Sequence, residues 1–219
     1  MYRNRFENEL SELHESLINL GALIERAIDN GINALINRNK ELACSVIEND
    51  KEINALSYAV ESKAMGILLR QQPVASDLRT ISTALKMVTD MERIGDQARD
   101  ICSIVLHLCE EEYGTKLVLI PKMAAAAKHM VRDCIDSFVR LDLELAKKVI
   151  ETDNDVDALF VQVKENMIEL IRNNPEYADQ AVYLMMTAKY FEKIGDHAEN
   201  IAEWVIFCQT GERKNIKLL

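Results

Sequence analysis

One helical phrase occurs twice in this chain. Glu92-Arg93-Ile94-Gly95-Asp96, followed by Ala98 and Ile101, returns one hundred residues later as Glu192-Lys193-Ile194-Gly195-Asp196, followed by Ala198 and Ile201. The repetition extends upstream. Glu41-Leu42-Ala43 with Val46, Ile47, Glu48 and Asp50 returns as Glu144-Leu145-Ala146 with Val149, Ile150, Glu151 and Asp153, an offset of 103 residues. Pro73 and Asp77 return as Pro175 and Asp179 at an offset of 102, so only three residues have been lost between the copies. A unit that cannot bury its own apolar face is used twice, and the fold must satisfy both copies.

Apolar residues recur at helical spacing and divide the chain into six segments. They run from about Phe6 to Arg38, Glu41 to Arg70, Val74 to Glu111, Lys122 to Arg140, Leu143 to Arg172 and Pro175 to Gln209, with a loop from Gly114 to Pro121. Gln72-Pro73 and Asn174-Pro175 read as N-cap and N1 pairs opening the third and sixth helices. Seven Gly and three Pro in 219 residues leave few turns, which suits long helices and excludes a sandwich or barrel. Short connections force sequential helices to run antiparallel. The expected fold is all-α: two tandem antiparallel three-helix bundles related by internal duplication, over residues 1–113 and 120–212.

In the second helix the buried seam reads Ala43, Val46, Asp50, Ile53, Ser57, Val60, Ala64 and Ile67, alternating steps of three and four. The fifth helix repeats it as Ala146, Val149, Asp153, Val156, Phe160, Val163 and Met167. Asp50 and Asp153 therefore occupy core positions, where a bare carboxylate costs several kcal/mol unless it is protonated, paired or bound to a cation.

Counting from the hairpin turns shows what lies level with them. Asp50 and Asp96 are each 23 residues from Pro73, and Asn54 and Glu92 are each 19. From Pro175, Asp153 and Asp196 lie 22 and 21 residues away, Asp157 and Glu192 18 and 17. Antiparallel helices rise equally per residue, so each half brings four oxygen-bearing side chains to one height. A lone Glu-x-x-x-Asp is most often a solvated helix face. Here level, seam position and residue type recur in both copies, which favours a hard or borderline divalent or trivalent cation with oxygen ligands.

Other groups receive plainer readings. Glu25 and Asp29, four apart on the first helix, have Lys128 and Arg132 as aligned positions and read as surface charge. His197, aligned with Gln97, reads as a surface histidine. Gly95 and Gly195 each lose about 1 kcal/mol of helix propensity against Ala, which a closely approaching neighbour explains. Arg79, aligned with Ala181, has no assigned role.

The formal charge of -10, with no basic stripe, excludes a phosphate-backbone contact with nucleic acid. The five cysteines sit in apolar helical stretches without a CxxC and read as reduced core thiols. The polar stretch Met1 to Leu10 reads as neither signal peptide nor lipidation motif, and apolar runs such as Trp204-Val205-Ile206-Phe207 are too short to span a bilayer. The expected compartment is the cytoplasm.

Gln72-Pro73-Val74-Ala75-Ser76-Asp77-Leu78-Arg79, Glu92-Arg93-Ile94-Gly95-Asp96 and Glu192-Lys193-Ile194-Gly195-Asp196-His197-Ala198-Glu199-Asn200-Ile201 together resemble the PhoU family of phosphate-uptake regulators. The resemblance spans nearly the whole chain. It implies two three-helix bundles, multinuclear clusters of iron or other metals such as zinc, manganese or magnesium on (E/D)xxxD motifs in some members, and frequent homodimers. It also implies negative regulation of a phosphate ABC transporter and a phosphate-sensing histidine kinase, with the membrane reached only through those partners. The metal motif falls on Glu92, Asp96 and Asp100, and on Glu192, Asp196 and Asn200; Asn200 departs from the carboxylate at Asp100.

The expectation is thus a non-enzymatic regulator. Its metal residues are Asp50, Glu92, Asp96 and Asp100 in the first half, and Asp153, Asp157, Glu192, Asp196 and Asn200 in the second. The rivals are a metal-dependent helical-bundle enzyme, a phosphohydrolase or oxidase, and a metal-free scaffold. The Glu-x-x-His pairs of di-iron bundle enzymes are absent, which weighs against catalysis.

Overall fold

The computed structural model describes residues 2–110, 112–213 and 216–217. Six long helices make up the body: α1 (Tyr2–Asn37), α2 (Lys40–Gln71), α3 (Ser76–Leu108), α4 (Leu119–Arg140), α5 (Leu143–Asn173) and α6 (Ala178–Thr210). A 3-10 turn, Pro175–Tyr177, precedes α6, and two short antiparallel strands follow it, β1 (Glu212–Arg213) and β2 (Ile216–Lys217). Glu111, the expected end of the third helix, lies outside the described residues, and α3 ends at Leu108.

The duplication is visible in the helix ends. Asn39 caps α2 by accepting from the Leu42 N–H at 2.9 Å, and Asp142, its aligned partner, caps α5 by accepting from Leu145 at 3.0 Å. The expected Gln72-Pro73 cap is different. Gln72 closes α2 in the left-handed region and donates its N–H to the Leu68 carbonyl, so α3 starts three residues beyond Pro73. Asn174 likewise ends α5, and Pro175 opens the 3-10 turn rather than α6 itself. In both hairpins the residue before proline leaves the right-handed helical region, Gln72 for the left-handed region and Asn174 for φ -141, because the pyrrolidine ring disfavours helix at the preceding residue.

The α2 seam is buried from Ala43 to Ile67 at every expected position, Asp50 included. In α5 the seam is buried apart from Phe160, which is half-exposed, with the Lys189 ammonium 5.1 Å from its ring centre.

The two three-helix units are not separate bodies. α3 packs along α6 as extensively as along α2, α1 crosses α4, and one continuous apolar core runs through both units. The outer helices, α2 and α5, touch only their own unit. This seam also carries polar contacts. Lys128 donates to Asp29 at 2.7 Å and Arg132 pairs with Glu25. Glu25 and Asp29, expected as plain surface charge, thus pair crosswise with the aligned residues Arg132 and Lys128, each member with the neighbour of its own copy. That is the pattern an internal two-fold relation imposes. His197 is not a plain surface histidine either: its Nδ1 lies 2.8 Å from the Asp90 carboxylate across the seam. Arg79 donates from Nε to the Cys208 carbonyl at 3.0 Å, tying the start of α3 to the last turn of α6.

All five cysteines are free thiols, and burial pushes Cys102 up to about 12, well away from thiolate chemistry. No helix among the described residues is long and apolar enough to cross a membrane.

Candidate metal centre

The second unit gathers its acids around one buried member. Asp153 projects from α5 and is 8% exposed, with Oδ1 buried and lacking a hydrogen-bond partner. It fits there because Gly195 of α6 has no side chain: a Cβ at that position would stand 2.7 Å from Asp153 Oδ1. The glycine's helix-propensity loss is thus tied to a carboxylate seated against the α6 backbone. Asp157, one turn along α5, and Asp196 of α6 complete a triad whose ligand oxygens lie within 4.8 Å of one another.

Two further acids surround this triad. Glu192 is buried, with Lys189 bonded to Oε1 and the Lys193 ammonium 3.4 Å from Oε2. Lys193 also bonds Asp196. Glu199 adds repulsion at Asp153. Burial, then the charges of Glu199, Asp157, Asp196 and Glu192, pushes Asp153 up to about 7. Burial and the same kind of repulsion raise Asp157 as well, partly countered by Lys189 and Lys193. The lysines reach the rim, and none pairs with Asp153 among the described residues. An anionic, acceptor-only pocket around an unpartnered carboxylate is what a hard cation with oxygen ligands fits.

The first unit brings its level residues together too, but around a different centre. Asp50 is 6% exposed, and its Oδ2 accepts from Asn54 Nδ2 at 2.9 Å and from Arg99 Nη1 at 3.4 Å. The same Nη1 donates to Asp96 Oδ1 at 2.8 Å, while Nε and Nη2 of Arg99 fork onto Asp100 Oδ1 at 3.2 and 2.9 Å. Arg93 takes the other Asp96 oxygen at 3.2 Å. Burial opposes the charge on Arg99, yet Asp100, Asp96 and Asp50 outweigh it and raise its pKa further. Gly95 here accommodates Ile53 instead of a carboxylate, since a Cβ would stand 2.9 Å from Ile53 Cγ2.

Two expected ligands lie apart. Glu92 remains on the exposed surface. Asn200 accepts from Arg213 Nη2 at 3.1 Å, and Arg213, whose guanidinium carbon is 4.0 Å from the Trp204 ring centre, also bonds Glu203. Glu199 and Arg99 are the residues that counting along the hairpins missed. The available signal was their alignment, one hundred residues apart with opposite charge.

Comparison with known proteins places this geometry in context. The PhoU domain family model matches residues 17–105 and again 120–205. The chain is 32% identical, over 99% of both sequences, to the phosphate-specific transport system accessory protein PhoU homolog of Clostridium acetobutylicum. Among solved structures, PhoU from Pseudomonas aeruginosa superposes with a TM-score of 0.90 at 33% identity, covering 94% of this chain and 100% of that one. The phosphate transport system regulatory protein PhoU from Streptococcus pneumoniae gives 0.89 at 26% identity, covering 96% and 100%.

Proposed function

The chain belongs to the PhoU family, and from that membership we propose that it is a cytoplasmic accessory regulator of phosphate uptake. In this reading it is a non-enzymatic body, acting as a homodimer, that restrains a phosphate ABC transporter and signals sufficiency to a phosphate-sensing histidine kinase. The acting units are residues 1–113 and 120–212. The relatives bear the names of accessory and regulatory proteins, and their resemblance runs the full length of the chain. That full-length match is the observation on which the reading rests.

Among the described residues one acidic triad, Asp153, Asp157 and Asp196, supports the reading of a cation in the second unit. Iron, zinc, manganese or magnesium would be held there by carboxylate oxygens, with Glu192 and Glu199 at the margin. When bound, such an ion supplies the positive charge that offsets their repulsion. Gly195 admits Asp153 to the site, and Lys189 and Lys193 hold Glu192 and Asp196 at its rim. One continuous apolar core crosses the α3–α6 seam, so a partner would meet the two units as one packed body.

Affinity capture of the tagged chain from cells grown with abundant and with scarce phosphate tests the regulatory part. Transporter or kinase components should co-purify in a phosphate-dependent manner. Recovery of neither under either condition would remove the assignment, whatever the metal content.

A further inference from the structure

The two acidic clusters occupy matching positions, yet at two aligned sites they differ in the same chemical sense. Asn54 stands where the second unit has Asp157, and Arg99 stands where it has Glu199. Each exchange replaces an oxygen acceptor with a donor, and both donors point inward, onto Asp50 Oδ2. A metal ion requires acceptors from every side. The first cluster keeps two unpartnered acceptors, Asp50 Oδ1 and Asn54 Oδ1, but sets amide and guanidinium protons against Asp50 Oδ2.

We propose that Arg99 is the resident cation of the first unit, a guanidinium standing where the second unit holds a metal, so that the chain takes up metal in its second unit alone. One planar group meets three carboxylates from two helices: Asp50 on α2, and Asp96 and Asp100 on α3. Its fork geometry suits this, because guanidinium donors diverge in a fixed plane and its charge persists at all working pH values. An incoming ion would have to displace the Arg99 guanidinium, breaking its contacts to Asp50, Asp96 and Asp100, before these carboxylates could close around it.

The second unit has no equivalent. Its two lysines are tethered to Glu192 and Asp196, and Asp153, more than nine-tenths buried, seats an unpartnered Oδ1 against Gly195 and joins Asp157 and Asp196 with no cation paired to it among the described residues. The proposal rests on the cation reading of the second unit only for that unit's occupancy. What it adds is that the first unit excludes metal by its own side chain, and that removing the side chain opens a site.

The test uses the full chain, loaded with manganese(II), desalted, and analysed for metal by mass spectrometry. Wild type should carry metal that the triple variant Asp153→Asn, Asp157→Asn, Asp196→Asn loses. Arg99→Glu with Asn54→Asp, which installs the second unit's acceptors in the first, should raise metal content about twofold. It should also retain metal when combined with the triple variant. A wild type without manganese beside an Arg99→Glu, Asn54→Asp chain that binds it would remove the metal from the proposed function while upholding the role of Arg99. Metal persisting in the triple variant overturns the proposal, as does a folded Arg99→Glu, Asn54→Asp chain that gains none. Should that chain not fold, the triple variant decides alone: metal-free supports the proposal, metal-bound overturns it.

Discussion

Asp50 and Asp153 hold the same position in two copies of one unit, and they are kept in the core by opposite means. Around Asp50 the chain supplies its own donors, Asn54 and Arg99. Around Asp153 it supplies four more carboxylates and, among the described residues, no paired cation; each residue keeps its Oδ1 unpartnered, so the difference lies in the groups that face the rest of the carboxylate. After duplication, the need to compensate a core acid persisted in both copies. One copy meets it within the fold, and the other leaves it to something outside the chain. Buried charge alone therefore does not identify a ligand site; the polarity of the atoms facing it does.

The largest expected consequence is in the second unit. Asp153 is raised to about 7, from an ordinary carboxyl value of 3.8 in an unfolded chain, so between these values the folded state holds a proton that the unfolded state has released. In metal-free protein, stability contributed here should fall as pH rises from about 4 to about 7, and the full cost should be present above that. The shift corresponds to roughly 4 kcal/mol as an upper bound. Asp153→Asn should remove this slope and raise the metal-free melting temperature at pH 8 while changing little near pH 4. Urea titrations of both proteins across this range measure the difference directly. Parallel pH profiles would show that Asp153 is compensated in the metal-free fold, and the contrast with Asp50 would vanish.

The reverse experiment strips the first unit of its cation. Arg99→Ala leaves Asp50, Asp96 and Asp100 without the group they share. Breaking a buried pair from one side costs about 3–5 kcal/mol, and the partial exposure of Arg99 reduces this to about 2 kcal/mol at neutral pH. Added manganese(II) should recover part of that loss, because Asp50, Asp96 and Asp100 lose their shared cation and only the Asn54 and Arg93 donors remain. Thermal unfolding with and without the ion measures both effects. A variant as stable as wild type would mean that solvent already screens the first cluster, and Arg99 would then be an ordinary surface cation.

Much of this was legible before any coordinates. The repeated phrases set six helices in two units, and counting from Pro73 and Pro175 brought Asp153, Asp157 and Asp196 level, where the structure joins them. Helical period identified the buried seam of α2 without error because every third or fourth residue there faces the same core. The seam between units was not legible. A helix face buried against the other unit has the same apolar period as one buried within its own, so nothing in α3 announces that α6 lies alongside. Arg99 was missed for a related reason: periodicity places a residue on a face but not the end of a long side chain, and a guanidinium can swing from its own helix to Asp50 on the next. The proline pairs misled because Pro73 stops α2 without starting α3.

The smallest effect concerns the seam, where the copies again differ in charge but this time satisfy one another. Glu25 and Asp29 align with Lys128 and Arg132, and the observed pairs are Glu25 with Arg132 and Asp29 with Lys128. A two-fold relation brings each position against the partner of its copy, so identical copies would have set acid against acid or base against base. Opposite charges turn that repulsion into attraction. Because Arg132 and Asp29 are about half exposed, each pair is worth only about 0.5 kcal/mol. Glu25→Lys alone should destabilise by about that amount or slightly more through repulsion with Arg132, and Glu25→Lys with Arg132→Glu should restore wild-type stability. High salt should flatten all three values towards one another. Additive losses in the double variant would mean that the crosswise pairs do not couple in solution. Charge divergence between the copies would then matter only where it surrounds a buried acid, as at Asp50 and Asp153.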